Sequence, residues 1–439
     1  MLAQRLLLKK IFVPFSTLIL IVVATAMFPR VITAVGVPSI ANFLHFGTVT
    51  LMAGIVLPNL RGQFATKIII GMFALLLSIC ASALFNGAGV INVLLSFLLL
   101  AEPFMLLLTI VGLNLFEKSI QKLKLWITLF AGIHIFFAYF QYYVLGWGHH
   151  DPDEIKGVFL GMDAGHHVGG AIAITAACYL FFSFTFRPVW GKAILTLWFL
   201  YEIILSDAKQ VIGVFLAASV ILVLTKVKDI GKFFRYLALT LFCFVAVYWA
   251  ANTIFPALSL IFQTERLVNG ITTKFSVFSI IASYHHSPLN GLFGLGPGHT
   301  VSRLGWLIPD YLNYLQPLGV SEHREIFDAV FTAQQENYFT NSKTGSSLFS
   351  PLFSWAGVWG DLGWFGLAAY IYLWWLVWRF CPDDLSRFFL LTIFVFGVTF
   401  AWMEEPGYML FTISLIGIQA QENKFNSAGK KLQIYLMSS

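Results

Sequence analysis

Apolar runs of about twenty residues, the length a helix needs to cross a bilayer, recur along almost the whole of this chain. Twelve are expected, at residues 11–28, 39–59, 67–85, 89–113, 125–145, 168–186, 191–205, 211–225, 235–254, 362–379, 387–403 and 407–420. In lipid each segment has to satisfy its own backbone polar groups, so the runs are expected as helices. Composition agrees: of 439 residues, 58% are hydrophobic and only 11% charged, where a soluble domain carries about 25% charged residues. Mean hydropathy is +0.80. The fold class is therefore an all-α polytopic membrane protein. The net charge of +6 points to no nucleic-acid partner, because basic residues of membrane proteins gather on the cytoplasmic side. Cys80, Cys178, Cys243 and Cys381 form neither a disulfide framework nor a zinc pattern.

Charge also sets the expected orientation. Arg5, Lys9 and Lys10 precede the first apolar run, which resembles a signal peptide with Ala24-Thr25-Ala26 as a cleavage site. A retained first helix fits better, because the run is long enough to span. With the N-terminus inside, only eight basic residues fall outside: Arg30, Lys156, Lys209, Arg266, Lys274, Arg303, Arg324 and Lys343. The rest of the 27 fall inside, which favours an even number of spans and two cytoplasmic termini. Three regions follow. Residues 1–254 hold nine spans and an outer loop at 146–167. Residues 255–361 form one long outer-face loop carrying short helices. Residues 362–439 hold three further spans and a cytoplasmic tail.

A loop that long is usually functional. Within it, Ile271–Ser283 is apolar enough to dip into the interface. Ser321 is expected to cap a helix with Glu322 and Glu325 in its first turn. Ile326, Phe327, Val330 and Phe331 would share one face of that helix, lying on the membrane surface. Lys209 stands apart, since it sits in a short outer hairpin, Ser206-Asp207-Ala208-Lys209-Gln210, that has no length to excuse a positive charge.

The glycine-rich stretch His285–Thr300 carries Gly291, Gly294, Gly296 and Gly298. Glycines allow positive φ, and successive free N–H groups make an anion-binding concavity. A diphosphate is the expected anion, and a plain sharp turn is the alternative. The stretch is neither a dinucleotide fingerprint nor a P-loop, because no strand precedes it and the Gly-Lys-Ser/Thr ending is missing. Ser206-x-x-Lys209 with Lys343-Thr344-Gly345 imitates a penicillin-binding signature, but the first pair lies in a membrane hairpin. His149, His150, Asp151, His166 and His167 are metal-ligand types. They read better as a solvated loop, or one touching a hydroxylated substrate, and no metal is expected. Glu404-Glu405-Pro406 lies at the outer end of a helix. Charge at that depth is costly and often functional, with interfacial polarity as the alternative. Glu102 and Glu202 are expected to pair within the bundle.

Several of these segments, taken in order, resemble the O-antigen ligase/polymerase superfamily. Ser287-Pro288-Leu289-Asn290-Gly291 followed by Gly294-Leu295-Gly296-Pro297-Gly298 is similar to that family's "PLxGxGxG" turn, with Arg266 and the 271–283 run upstream. Ser206-Asp207-Ala208-Lys209 resembles its "SRG/SRxA" turn, with lysine in place of arginine, which keeps the charge and loses the bidentate fork. Ser346–Ser350 to Gly360-Asp361-Leu362-Gly363 resembles its closing segment, "HN…L…E-x-G", without the His-Asn and with Asp361 in place of the glutamate. The resemblance covers residues 157–375.

The resemblance implies a membrane glycosyltransferase, broadly GT-C-like. It would join undecaprenyl-diphosphate-linked oligosaccharide repeat units on the outer face of a bacterial inner membrane. The absent His-Asn argues for a polymerase over a ligase that moves glycan to a lipid or protein acceptor. A transporter or flippase of polysaccharide intermediates is the alternative from another class. The implied partners are the lipid-linked donor and acceptor, the bilayer, a flippase and a chain-length regulator, with no cofactor. Loss of a diphosphate leaving group needs cations where charge develops, which nominates Lys209, Arg303 and Arg324, then Arg266. The acceptor's proton would pass to His323, His286, Glu325 or Asp207. The four glycines and Glu405 complete the expected substrate contacts.

Overall fold

The structure is a computed structural model. It describes residues 14–438 apart from 61, 114, 150, 185–188, 254–263 and 341–349, and only the backbone at 59, 264–267, 269, 334–340 and 427–438. Among the described residues every regular element is helical. In chain order the helices are α1 (Phe15–Met27), α2 (Pro29–Ala34), α3 (Leu44–Val56), α4 (Gln63–Asn86), α5 (Val90–Gly112), α6 (Glu117–Tyr143), α7 (Gly165–Ser183), α8 (Val189–Leu205) and α9 (Lys209–Leu224). There follow α10 (Ile230–Thr253), α11 (Thr264–Ser283), α12 (Pro288–Phe293), α13 (Arg303–Asp310), α14 (Leu312–Leu315), α15 (Arg324–Thr340), α16 (Ser354–Phe380), α17 (Asp384–Thr399) and α18 (Pro406–Ser438).

A helix covers each of the twelve apolar runs in the described residues. Six are long and apolar enough to cross a membrane: Ser39–Val56, Gln63–Asn86, Val90–Gly112, Glu117–Tyr143, Gly165–Ser183 and Ile230–Thr253. Phe15–Met27 and Lys209–Leu224 are apolar but shorter. Many large apolar side chains face outward from these helices, including Leu84, Phe242 and Val245. A chain built for water would bury such groups, so their exposure fits a lipid-facing surface.

The chain divides into two compact units: residues 1–65, 102–206 and 406–439, and residues 66–101 and 207–405. The described residues of 255–361 lie within the second unit and are largely helical.

In the first unit, α1, α3, α6, α7 and α8 gather around α18 and one another. Burial forces their polar groups to pair. His45 Nδ1 lies 2.8 Å from Glu102. His134 Nε2 lies 3.9 Å from Glu202, and both side chains are wholly buried. Glu102 is thus hydrogen-bonded to a histidine, whereas Glu202 and His134 Nε2 only approach one another, without a hydrogen bond.

In the second unit, Val277 and Ile281 of α11, Ile326 and Val330 of α15, Ala356 of α16 and Phe353 just before it bury one another together with Leu295 and Val301. This corrects two expectations. The apolar face of α15 is spent on a protein core, leaving only Phe331 largely exposed. Ser321 does not cap α15, which begins at Arg324; its hydroxyl accepts from Gly89 N–H at 3.0 Å and meets His299 Nε2 at 2.8 Å.

Helices α9 and α17 run antiparallel. Phe215 meets Phe388 and Phe396, Ala218 and Leu222 pack with Leu391, and Lys226 pairs with Asp384 at the far end. About two turns beyond Phe215 lies Lys209. About two turns beyond Phe396 lies the 400–405 connection. Both therefore occupy the same end of the pair.

Candidate functional site

The site is built on a break in α16. Gly363 sits at φ 63° inside that helix. A side chain there would strike the Leu292 and Gly294 backbones, and one on Gly294, at φ 78°, would strike Asp361. These two glycines let the glycine turn and the helix meet backbone to backbone. The break frees two carbonyls that a continuous helix would use. Gly360 C=O accepts from Leu295 N–H at 2.9 Å, and Asp361 C=O accepts from Gly296 N–H at 3.1 Å.

The Asp361 carboxylate closes the turn. It accepts from Gly298 N–H at 2.6 Å, Thr300 N–H at 2.9 Å and the Thr300 hydroxyl at 2.6 Å. Gly294 N–H donates to Asn290 C=O. The anion seated in this backbone nest is therefore a carboxylate of the chain itself. The expected diphosphate cradle is corrected on that ground: the N–H groups of Gly294, Gly296 and Gly298 are engaged, and Gly291 lies within α12. Three side chains unremarked in the sequence hold the turn from the other side. Ser82 donates to Asp361 C=O at 2.6 Å, Asn86 to Gly294 C=O at 3.1 Å, and Asn92 to Pro297 C=O at 2.9 Å. Their signal was polar spacing of four in an otherwise apolar helix, Ser82 and Asn86, which puts both on one face.

The turn leads through Ser302, whose hydroxyl accepts from Gly305 N–H and caps α13. Arg303 is the first residue of that helix. Its N–H donates to Glu404 Oε2 at 3.2 Å, and its guanidinium is ion-paired with Glu405. Glu404 and Glu405 are 3% and 2% exposed. Their segment is pinned from below: Met403 N–H donates to the Ser354 hydroxyl at 3.0 Å, and Tyr370 donates to Met403 C=O at 3.3 Å. Glu404 Oε1 and Arg303 Nε are buried without a hydrogen-bond partner. Glu404 lies in the connection between α17 and α18. Burial, then the nearby Asp361, pushes its carboxyl up to about 8, against the opposing pull of Arg303.

Lys209, the first residue of α9, is ion-paired with Asp207. Asp207 holds φ 49°, the one non-glycine residue with positive φ among those described. Strain of that kind collects at functional sites. Lys209 and Arg303 thus each already have a carboxylate partner.

The other nominated residues are spread more widely. His323 and Arg324 are exposed at the start of α15. The His323 ring centroid lies 6.0 Å from that of His299. Glu325 and His286 are exposed. The Arg266 side chain and the whole of Lys343 lie outside the described residues. In the 146–167 loop, His166 Nε2 lies 3.4 Å from Asp153, and His150 lies outside the described residues. Lys274 is buried instead of bordering solvent: its ammonium donates to Ser350 C=O and Thr399 C=O, at 2.6 and 2.7 Å. The structure therefore gathers Arg303, Glu404, Glu405 and the glycine turn, and sets Lys209 and Asp207 at the same end of α9 and α17. No family model matches this sequence, and no curated protein is significantly similar to it.

Proposed function

We propose that this chain is a membrane-embedded glycosyltransferase. It would polymerise undecaprenyl-diphosphate-linked repeat units into a surface polysaccharide on the outer face of a bacterial inner membrane, with both termini cytoplasmic. One observation carries the reading most strongly. Arg303, held by a buried pair of glutamates, lies at the same end of α9 and α17 as Lys209, beside a turn locked in place by Asp361. Cations fixed before the substrate arrives cost no reorganisation when charge develops on a leaving diphosphate. In this reading the donor diphosphate competes with Glu405 and Asp207 for Arg303 and Lys209, and the locked turn positions Arg303 instead of binding the anion.

The test is a glycan profile of cells lacking the protein, complemented with variants. Loss of long chains with single repeat units still reaching the surface is the expected result. Lys209→Ala and Arg303→Ala should each fail to restore polymer, with a loss on the order of a hundredfold. Normal chain length and amount in both variants would overturn the assignment. Polymer stranded on undecaprenyl diphosphate would mean a ligase. Repeat units trapped inside would mean a flippase, a second reading favoured by the two buried histidine–glutamate pairs of the first unit, since ionisable groups at such depth often mark transport paths.

A further inference from the structure

We infer that Glu404 is the proton acceptor for the attacking sugar hydroxyl. This rests on the glycosyl-transfer reading above and names a residue of the same site. Of the carboxylates gathered there, Asp361 is saturated by the donors of the glycine turn, and Glu405 is committed to Arg303. Glu404 differs. Its Oε2 accepts from Arg303 N–H, while Oε1 is buried with no partner. Leaving such an acceptor unpaired is costly, so its persistence calls for a ligand that donates. Arg303 Nε is a buried donor without an acceptor in the same cluster. A substrate hydroxyl gives its hydrogen to Oε1 when Glu404 is ionised.

The exposed alternatives fit less well. His286, His323 and Glu325 stand in solvent, where nothing excludes water from competing for the proton or for the donor sugar. Glu404 is held from three directions: by Arg303 N–H, by the Ser354 bond to the neighbouring Met403 N–H, and by the Tyr370 bond to Met403 C=O. A base held in one place is what proton transfer in the transition state needs.

The step balances. The acceptor hydroxyl's proton passes to Glu404 Oε1 as its oxygen bonds to the donor sugar's anomeric carbon. The bond from that carbon to the diphosphate oxygen breaks, and undecaprenyl diphosphate leaves with the electron pair. The proton then passes from Glu404 to the departing diphosphate or to water. Asp361, Arg303 and Tyr370 are the charged and titratable groups that act on Glu404, with Glu405 its neighbour in the chain. Asp361 disfavours its ionised form and Arg303 favours it.

The test uses the full-length protein in liposomes, with lipid-linked glycans extracted from cells lacking it. Wild type should lengthen these glycans, faster as pH rises toward and through 8 while Glu404 ionises. Glu404→Gln should lower the turnover rate at least a hundredfold, leave the apparent KM within about threefold, and remove that rise. Glu404→Asp keeps the carboxylate and should keep the pH dependence at a reduced rate, which separates proton transfer from folding. Glu404→Gln working within threefold of wild type with the same pH profile overturns this inference and leaves the glycosyl-transfer reading standing. A rise in KM with turnover unchanged overturns it in favour of a binding role. Wild type that lengthens nothing overturns both.

Discussion

Asp361 is the residue on which the local architecture turns. Its carboxylate replaces the external anion that a glycine-rich nest would otherwise attract, and three donors converge on it. Hydrogen bonds to a charged acceptor contribute about 1.5–3 kcal/mol each, and stranded buried donors add a penalty. Asp361→Ala is therefore expected to lose at least about 3 kcal/mol of stability, read as an early-melting transition in detergent. An unchanged melt would mean the turn closes without it. His299 gives a pH-dependent counterpart. Burial is the main cause that holds its imidazole below the usual 6.5, with the Leu295 carbonyl bond opposing. A depressed base stabilises the fold in its neutral form. That contribution is complete above about 6.5 and is lost as pH falls through the folded value. Melting temperature should therefore drop on acidification below 6.5, with a shallower slope in His299→Gln.

Glycines at the scale of elements separate two explanations of the same motif. Gly294 and Gly363 both carry positive φ at a backbone contact that admits no side chain. Gly294→Ala should cost about 2 kcal/mol or more, from the disfavoured φ together with displacement of Asp361. Gly291 lies in α12 with open space where a Cβ would go. Gly291→Ala should be neutral or stabilising by up to about 1 kcal/mol. Equal damage from both would point to a ligand approaching the whole turn. This contrast also shows what the sequence made legible. Four glycines in eight residues marked a constrained turn, because positive φ is a local property. The partner of that turn was 63 residues away in α16, and nothing local distinguishes Asp361 as a lock from Asp361 as a ligand contact. The face of Ile326 and Val330 was legible as apolar for the same local reason. Whether protein or lipid covers it depends on α11 and α16, which lie outside its own helix.

For the molecule as a whole, the apolar runs were readable because the bilayer imposes length and composition on each segment by itself. Arg303 and Glu404 were each marked by charge in an unexpected place, but their pairing across a hundred residues of chain was not readable. The orientation in the proposed function can be tested on the two ends of the antiparallel pair α9 and α17. One end holds Lys226 with Asp384, which Lys232, Arg387 and Tyr236 also approach. The other end holds Lys209, Asp207 and the Glu404-Glu405 connection. Basic residues concentrate at the first end, which the positive-inside rule assigns to the cytoplasm. Under the proposed function the second end, with Arg303 and α15, would be extracytoplasmic, where a lipid-linked glycan would be met. Single cysteines in a background free of Cys80, Cys178, Cys243 and Cys381 test this directly. Glu322→Cys should react with a membrane-impermeant maleimide in intact spheroplasts. Lys228→Cys, exposed at the opposite end, should react only after the membrane is opened. The reverse pattern would put the cluster around Arg303 in the cytoplasm, away from any glycan on the outer leaflet. The polymerase proposal and the role given to Glu404 would then fall together, while the helix pairing and the Asp361 lock, which need no membrane orientation, would stand.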